Sequence, residues 1–218
     1  MRKVMILALA AAVVGVFATG ATAGKPPHAA SGKSKSCLGL TPTIVGTQAA
    51  DVINGTAGND VIQARGGNDQ VWGHGGNDVI CGGSGRDTLQ GGDGTDMLAG
   101  AQGADLMDGG VLGCCGPGNT GDDVLRGGHG RDVLHASDFG NNVLFGGQGA
   151  DEIHGWQGND VLHGGYGPDV LESSTGNDTV TGGNGRDSLD GGDGSDTLDG
   201  GRGADTCTNG ELNTRCEA

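Results

Sequence analysis

Residues 73–81 read GHGGNDVIC, and residues 82–90 read GGSGRDTLQ. The two stretches share a nine-residue pattern in which glycine holds positions one and four, aspartate holds position six and an aliphatic residue holds position eight. The pattern recurs upstream as GTAGNDVIQ at 55–63 and downstream as GGDGSDTLD at 191–199. One apolar residue in each unit of nine predicts a repeating β-structure, in which six residues form a turn and three form a short strand.

Aspartate keeps this period over most of the chain. Residues 46–208 divide into eighteen nine-residue units, called nonads here and numbered 1 to 18, plus one inserted residue. Position six is exceptional in nonad 8 (109–117), which has Cys114, and in nonad 11 (136–145), which has the insertion and Asn142. In the other sixteen nonads it is aspartate: Asp51, Asp60, Asp69, Asp78, Asp87, Asp96, Asp105, Asp123, Asp132, Asp151, Asp160, Asp169, Asp178, Asp187, Asp196 and Asp205.

Position eight is the second constant feature, and it is aliphatic from Ile53 in the first nonad to Leu198 in the seventeenth, apart from nonad 8. We expect this residue to face inward from the middle of a three-residue strand. Glycines in the preceding turn allow positive φ and let backbone carbonyls converge. Carbonyl and carboxylate oxygens are the ligands that hard cations prefer, so the turns are candidate cation sites.

The period resembles the RTX, or haemolysin-type, calcium-binding repeat GGxGxDxUx, and the resemblance covers about three quarters of the chain. It implies an all-β fold, a right-handed parallel β-roll (a β-solenoid) of about eighteen nonads, with two nonads in each turn. It also implies calcium between successive turns on each side, held by backbone carbonyls and by the sixteen position-six aspartates. Residues 46–51 lack the second and fourth glycines and Ala64 opens nonad 3, so we expect weaker first sites.

The resemblance also sets an expected stoichiometry. Eighteen nonads in two columns of nine would enclose at most sixteen inter-turn sites. Nonads 8 and 11 are expected in different columns, each spoiling two sites, which leaves about a dozen calcium ions at most. Because the core is thin and the aspartates repel one another, we expect binding and folding to be one event, and a largely disordered chain without calcium.

Charge and motifs exclude several functions. The chain has 12 basic and 27 acidic residues and a net charge of −15, which disfavours nucleic acid and anionic membrane surfaces and suits cations. Neither GxSxG nor HExxH occurs, and the repeat leaves no room for a separate catalytic domain. We therefore expect a binding protein that is not an enzyme.

The first residues, 1–23, are typical of a signal peptide. Arg2 and Lys3 precede an apolar run at 4–17, and a small-residue ATA site follows at 21–23. A retained membrane anchor is the alternative, but it needs about 18 apolar residues. We expect cleavage after Ala23, no membrane insertion, and a secreted, extracellular protein that is similar to the small Sec-exported bacterial members of the RTX family.

The remaining chain divides into three parts. Residues 24–45 are expected to form a basic flexible arm and a short strand, within 37–45, that leads into the repeat. The calcium-binding roll follows at 46–208. Residues 209–218 are expected to form a C-terminal cap closed by a disulfide.

An even number of cysteines in an exported chain indicates disulfides, and the sequence has six: Cys37, Cys81, Cys114, Cys115, Cys207 and Cys216. A zinc site is the weaker interpretation, because no CxxC pair occurs. We hypothesise that Cys207 pairs with Cys216 to close the tail and that Cys37 pairs with Cys81 at the other end. Cys114 and Cys115 either pair with each other or stay free.

Three other functions were weighed. His135 and His154 both hold position nine and are expected as outward neighbours about 4.8 Å apart, near enough to share a transition metal, although no third ligand is evident. A calcium-rigidified extracellular adhesin or matrix component is a second alternative, with an unknown surface partner. Ice binding would need an outward row of Thr and Asn, which position five does not supply when read in chain order: Asn59, Asn68, Asn77, Arg86, Thr95 and Ala104.

Overall fold

A computed structural model describes residues 36–110, 121–136 and 139–216. Within these ranges the chain consists of strands and turns and contains no helix, so no described helix is available to cross a membrane. The expected signal peptide, residues 24–35 of the arm, and Cys114 and Cys115 lie outside the described residues.

Of the 21 strands in the described ranges, 19 belong to two long parallel sheets that face each other, and the chain alternates between them. The first sheet has ten strands in the order β1 (Ile44–Val45), β3 (Val61–Gly66), β5 (Val79–Ser84), β7 (Met97–Gln102), β9 (Val124–His129), β11 (Val143–Gln148), β13 (Val161–Tyr166), β16 (Thr179–Asn184), β19 (Thr197–Arg202) and β21 (Leu212–Thr214). The second has nine: β2 (Val52–Asn54), β4 (Gln70–Gly75), β6 (Thr88–Asp93), β8 (Leu106–Asp108), β10 (Val133–His135), β12 (Glu152–His154), β14 (Val170–Glu172), β17 (Ser188–Asp190) and β20 (Thr206–Thr208).

A third, two-stranded sheet pairs β15 (Thr175–Gly176) with β18 (Asp193–Gly194) at one edge of the turns. Because consecutive nonads place their strands in opposite long sheets, each pair of nonads completes one turn. The predicted all-β parallel solenoid is confirmed, with about nine turns.

Position eight forms the core, as predicted. These side chains pair in register along each sheet, as in Ile62 with Ile80 and Leu144 with Leu162. From Ile53 to Leu198 none is more than 8% exposed. The core is therefore two columns of aliphatic residues, one from each of the first seventeen nonads except nonad 8, between two sheets that are open to solvent on their outer faces.

No strand of nonad 8 lies between nonads 6 and 9 in this register. Strand β7 pairs directly with β9, and Met97 lies opposite Val124, 27 residues later, whereas Val79 lies opposite Met97, only 18 residues later. Strand β8 likewise pairs with β10. The expectation that nonads 8 and 11 lie in opposite columns was wrong: nonad 11 falls in the first sheet after nonads 2, 4, 6 and 9, and the register passes over nonad 8.

The composition of nonad 8 gives the physical reason. Besides lacking aspartate at position six, it has Gly116 where an aliphatic core residue belongs and Pro117 where a strand N–H is needed. It offers neither a carboxylate to the turns nor a side chain to the core. When nonad 9 stacks directly on nonad 6, the column of aspartate carboxylates and the aliphatic core both continue.

Disulfides fasten both ends of the solenoid. Cys37 is bonded to Cys81 of β5, beside the place where β1 joins β3, and Cys207 of β20 is bonded to Cys216. Both hypothesised pairings are confirmed. The strand predicted within residues 37–45 is present as β1, shorter than the segment that contains it.

Candidate metal sites

The position-six aspartates form two hydrogen-bond ladders that run the length of the solenoid. The N–H of Asp69 donates to Oδ1 of Asp87 at 2.9 Å, and the N–H of Asp78 donates to Oδ1 of Asp96 at 2.8 Å. The same contact repeats at successive turns as far as Asp187, which donates to Asp205. Each such carboxylate is therefore held in one orientation, with its second oxygen, Oδ2, turned away from the N–H that holds it.

That second oxygen has no hydrogen-bond donor in most turns. Unpaired Oδ2 atoms are buried in thirteen of the described aspartates: Asp69, Asp78, Asp87, Asp96, Asp105, Asp132, Asp151, Asp160, Asp169, Asp178, Asp187, Asp196 and Asp205. A buried carboxylate oxygen without a partner is costly, so each of these atoms calls for a compensating positive charge. The ladder orients the carboxylates but does not supply this positive charge.

Backbone carbonyls of the next turn converge on the same place. A methyl group added at Gly73, position one of its nonad, would lie 2.2 Å from Oδ2 of Asp78 and 2.4 Å from the carbonyl oxygen of Gly91. Both oxygens thus face the small space that the missing side chain leaves. An oxygen-lined cradle of this kind fits a calcium ion, which takes carboxylate and carbonyl ligands.

Glycines at positions two and four allow the turns to stack this closely. Gly83 has φ of 115° and Gly85 has φ of 133°, both in the region that side-chain-bearing residues rarely adopt. A methyl group at Gly83 would lie 2.0 Å from the carbonyl oxygen of Arg65, and one at Gly85 would lie 1.8 Å from that of Gly67. Position four, as at Gly85, therefore depends on glycine for its backbone conformation and for the close approach of the preceding turn. Position two is less strict, because Arg65 and His74 hold it with φ of 87° and 79°.

The electrostatics of the cradles follow from their burial. Removal from water raises the pKa of Asp96, Asp105, Asp160 and Asp169 from 3.8 to about 7, and neighbouring aspartates raise it further while the N–H contact of the ladder lowers it. The metal-free cradles therefore favour protonated carboxyl groups, and a bound cation has to compete with protons.

Side chains alone do not complete a metal site. Within the described ranges, no three His, Cys, Asp or Glu side chains come together in a way that could hold a metal ion. A calcium site in these turns must therefore combine aspartate carboxylates with main-chain carbonyls, as the resemblance implies.

The first two aspartates differ from the rest in the partners of their second oxygen. Oδ2 of Asp51 accepts hydrogen bonds from the N–H of Thr47 at 2.6 Å and from its hydroxyl at 2.9 Å. Oδ2 of Asp60 accepts the same pair of bonds from Thr56, at 2.7 and 2.9 Å. Threonine at position two of these nonads supplies a hydroxyl donor, so these two carboxylates need a cation less.

Asn142 interrupts the ladder chemically but not geometrically. Its Oδ1 accepts the N–H of Asp123 at 2.9 Å, as an aspartate would. Its Nδ2 lies 3.2 Å from Oδ1 of Asp160 and 3.3 Å from the carbonyl oxygen of Gly140, and donates to both. An amide group therefore stands where other turns have the second carboxylate oxygen, and it donates to the ladder oxygen of Asp160. The inserted residue of nonad 11 leaves the ladder continuous.

Position five forms a further ladder along one edge. Oδ1 of Asn59 accepts the N–H of Asn77 at 2.8 Å, and Oδ1 of Asn159 accepts the N–H of Asn177 at 2.9 Å. Chain order concealed this row because alternate nonads belong to opposite sheets. The turns before the first sheet carry Asn59, Asn77, Thr95, Asp122, Asn141, Asn159, Asn177 and Ser195. Since the amide oxygens bind the main chain, the row holds successive turns together.

His135 and His154 are outward neighbours, as predicted, with ring centroids 5.0 Å apart. Both nitrogens of His154 already face carboxylates: Nε2 lies 3.1 Å from Oε1 of Glu152, and Nδ1 lies 3.2 Å from Oε2 of Glu172. The absence of a three-ligand cluster among the described residues also counts against a transition metal here. The pair is better described as an imidazole network with two surface glutamates.

Comparison with known families gives one match along most of the repeat. The family described as the RTX calcium-binding nonapeptide repeat (4 copies) matches residues 45–80, 82–111, 118–139, 137–171 and 172–207. These segments cover more than half of the chain. No curated protein matches the sequence.

Proposed function

The chain belongs to the RTX calcium-binding nonapeptide repeat family, and from that premise we propose that it is a secreted protein whose Asp/Gly turns bind many structural calcium ions and fold when they do so. The observation that carries the proposal is the set of thirteen buried Oδ2 atoms without donors among the described residues. They lie on the side of each carboxylate that faces the carbonyl-lined cradle.

The chain's own residues supply the oxygen ligands and fix their geometry. In each turn the N–H of one aspartate orients the carboxylate of the next, and glycine leaves the space beside Oδ2 open. A calcium ion bound there would supply the positive charge that the buried carboxylates lack. Because one aliphatic side chain from each nonad builds the core, the solenoid depends on neutralising its own ladder of charges.

The number of ions follows from the same atoms. If each unpaired Oδ2 among the described aspartates marks one cradle, the chain binds about a dozen ions. This number is close to the dozen ions expected from the sequence, but it rests on the unpaired oxygen atoms and not on a count of nonads. Asp96 and Asp105, whose ladder bonds cross nonad 8, keep open Oδ2 atoms. Asn142, Asp51 and Asp60 each have hydrogen bonds where other turns have an open carboxylate oxygen.

Secretion and a non-enzymatic role belong to the proposal as well. Residues 1–23 have the pattern of a signal peptide, and the Cys37–Cys81 and Cys207–Cys216 bonds suit an oxidising compartment. The position-six carboxylates are engaged in a structural ladder, which favours a scaffold over a catalyst.

Exposed aromatic side chains favour a second role, a calcium-rigidified adhesin or matrix component. Tyr166 is 63% exposed and Trp156 is 45% exposed. Aromatic residues of this kind often anchor protein contacts. Fractionation of a producing culture tests this role, which predicts protein in the cell envelope fraction; protein found only in the supernatant would contradict it.

The calcium proposal is tested by Asp169→Asn, measured by calorimetric calcium titration. Asparagine keeps the Oδ1 atom that accepts the N–H of Asp151 but removes the carboxylate charge. We expect one or two fewer ions and a lower melting temperature in saturating calcium. Asp193→Asn is the matched control, because Asp193 is exposed at position three and takes no part in the ladder. An unchanged ion count in Asp169→Asn would contradict the assignment.

A further inference from the structure

The tail beyond the last nonad forms an additional half-turn. Strand β21 pairs in parallel with β19, and Leu212 lies opposite Thr197 while Asn213 lies opposite Leu198. Since Thr197 holds position seven of its nonad, Leu212 holds position seven of the half-turn, and Glu211 holds position six. The nonad pattern does not identify this half-turn, because it has glutamate in place of aspartate and asparagine in place of the aliphatic residue.

Glu211 makes the contact that the position-six aspartates and Asn142 make in the preceding turns of this column. The N–H of Asp178 donates to Oδ1 of Asp196 at 2.8 Å, and the N–H of Asp196 in turn donates to Oε2 of Glu211. The following strand is also held in the usual way, because the N–H of Leu212 donates to the carbonyl oxygen of Asp196 at 3.2 Å. Glu211 is therefore the last carboxylate of the ladder.

An unpaired atom at the same place indicates a ligand. Asp196 is only 1% exposed, and its Oδ2 has no hydrogen-bond donor. A methyl group added at Gly191 would lie 2.8 Å from this Oδ2 and 2.4 Å from the carbonyl oxygen of Asn209. Asn209 thus supplies the next-turn carbonyl that Gly91 supplies beside Asp78. The last turn has the same kind of oxygen-lined cradle as the interior turns.

We propose that Glu211 and Asp196, with the Asn209 carbonyl, hold a terminal calcium ion that closes the solenoid. This inference rests on the proposed function and adds a ligand that the nonad pattern does not predict. The final turn has only three residues, 209–211, between β20 and β21, where six residues precede β19. A shorter turn has fewer backbone carbonyls, and its backbone extends less far toward the preceding turn. Because glutamate has one more methylene group than aspartate, its side chain makes up for that shorter distance.

Two contacts hold Glu211 in place. Cys207 in β20 is bonded to Cys216, which follows the half-turn, and the guanidinium of Arg215 pairs with the carboxylate of Asp199. The half-turn is thereby fastened on both sides of Glu211. The terminal site therefore depends on the disulfide, whereas the interior sites are held by complete turns above and below.

The test is a calorimetric calcium count on the full mature chain with Glu211→Gln. Glutamine can still accept the N–H of Asp196, so the fold is retained while the charge is lost. We expect one ion fewer and an unchanged strand signal by circular dichroism. Glu172→Gln is the matched control: Glu172 is an exposed glutamate on the outer face of β14, outside both ladders, and this variant should bind the wild-type number.

A second variant, Cys207→Ser with Cys216→Ser, should also bind one ion fewer, because it releases the half-turn without touching a ligand. A wild-type count in both variants would overturn the inference while leaving the proposed function intact. Loss of several ions together with the strand signal in Glu211→Gln would also overturn it, since Glu211 would then be a structural cap. If the unmodified chain binds no calcium, the proposed function itself fails.

Discussion

The main-chain N–H of Asp105 donates to Oδ1 of Asp132 at 2.8 Å, across 27 residues of sequence. The equivalent bond from Asp69 to Asp87 spans 18 residues and has nearly the same length, 2.9 Å. The ladder therefore closes over nonad 8 with no loss of geometry. Nonad 8 still contributes Gly109 to a neighbouring cradle, since the Gly109 carbonyl oxygen and Oδ2 of Asp96 would lie 2.5 and 2.3 Å from a methyl group added at Gly91.

Deletion of residues 109–117 should consequently leave the solenoid intact. It removes one whole nonad from the chain between β8 and β9, and Gly118 takes the place of Gly109 as position one. We expect an unchanged calcium count by calorimetry and an unchanged melting temperature in calcium. The control deletes residues 155–163, a nonad within the register, which moves every later nonad to the opposite sheet and should lower the calcium count. Equal losses in the two deletions would contradict this account of nonad 8.

Asn142→Asp should create calcium capacity in the middle of the first-sheet column. The new carboxylate would stand between Asp123 and Asp160 and would remove the amide hydrogens that now meet Oδ1 of Asp160. We expect one or two additional ions by calorimetry, and a less stable chain when calcium is absent because of the added repulsion. Asn184→Asp adds the same charge at position three, outside the ladder, and should leave the count unchanged. No gain in Asn142→Asp would argue against the ladder carboxylates as ligands.

Thr56→Val tests why the first turns differ. Valine keeps the shape of threonine but removes the hydroxyl that donates to Oδ2 of Asp60 at 2.9 Å. With one donor lost, Asp60 should depend more on calcium, and the variant should lose about 1 kcal/mol of stability in calcium-poor buffer. Chemical denaturation at low and high calcium measures this. The exposed Thr197→Val provides the comparison, and a penalty that is the same in both variants would refute the explanation.

The response to pH should reverse when calcium is removed. Burial raises the pKa of Asp96 and Asp160 to about 7 in the metal-free fold, above the value of 3.8 for an unperturbed aspartate. A group whose pKa is raised by folding stabilises the folded state fully below its unfolded pKa, and this contribution is lost as the pH rises through the folded pKa. Between about pH 4 and pH 7 the calcium-free chain should therefore lose whatever strand structure it has as the pH rises.

In saturating calcium we expect the opposite trend over the same range, because protons compete with the metal for the carboxylates. Circular dichroism across the two pH series compares the trends directly. Strand signal that rises with pH in the calcium-free chain would contradict the burial of these carboxyl groups.

The sequence predicted the solenoid because its two signals are local and repeated. Aspartate at position six and an aliphatic residue at position eight mark each turn and each inward side chain, as Asp78 and Ile80 illustrate. The pairings of Cys37 and Cys207 followed from their positions at the two ends. None of these inferences required knowledge of which nonads stack on which.

Stacking is where the sequence-based interpretation failed. Nonad 8 has the right length, so counting kept it in phase, and only the pairing of β7 with β9 shows that the register passes over it. The Asn59 row was missed for the same reason, since it exists in one column only. Glu211 departs from the pattern in residue type and turn length, and its role depends on a contact with Asp196 that no periodicity encodes.

The most direct measurement of the central claim is a calcium titration of residues 24–218, followed by calorimetry and circular dichroism in parallel. The account predicts that about a dozen ions bind, that strand signal appears over the same calcium range, and that chelation reverses both. Strand signal that persists unchanged after complete chelation, with no heat on adding calcium, would contradict the claim that the turns are calcium sites on which folding depends.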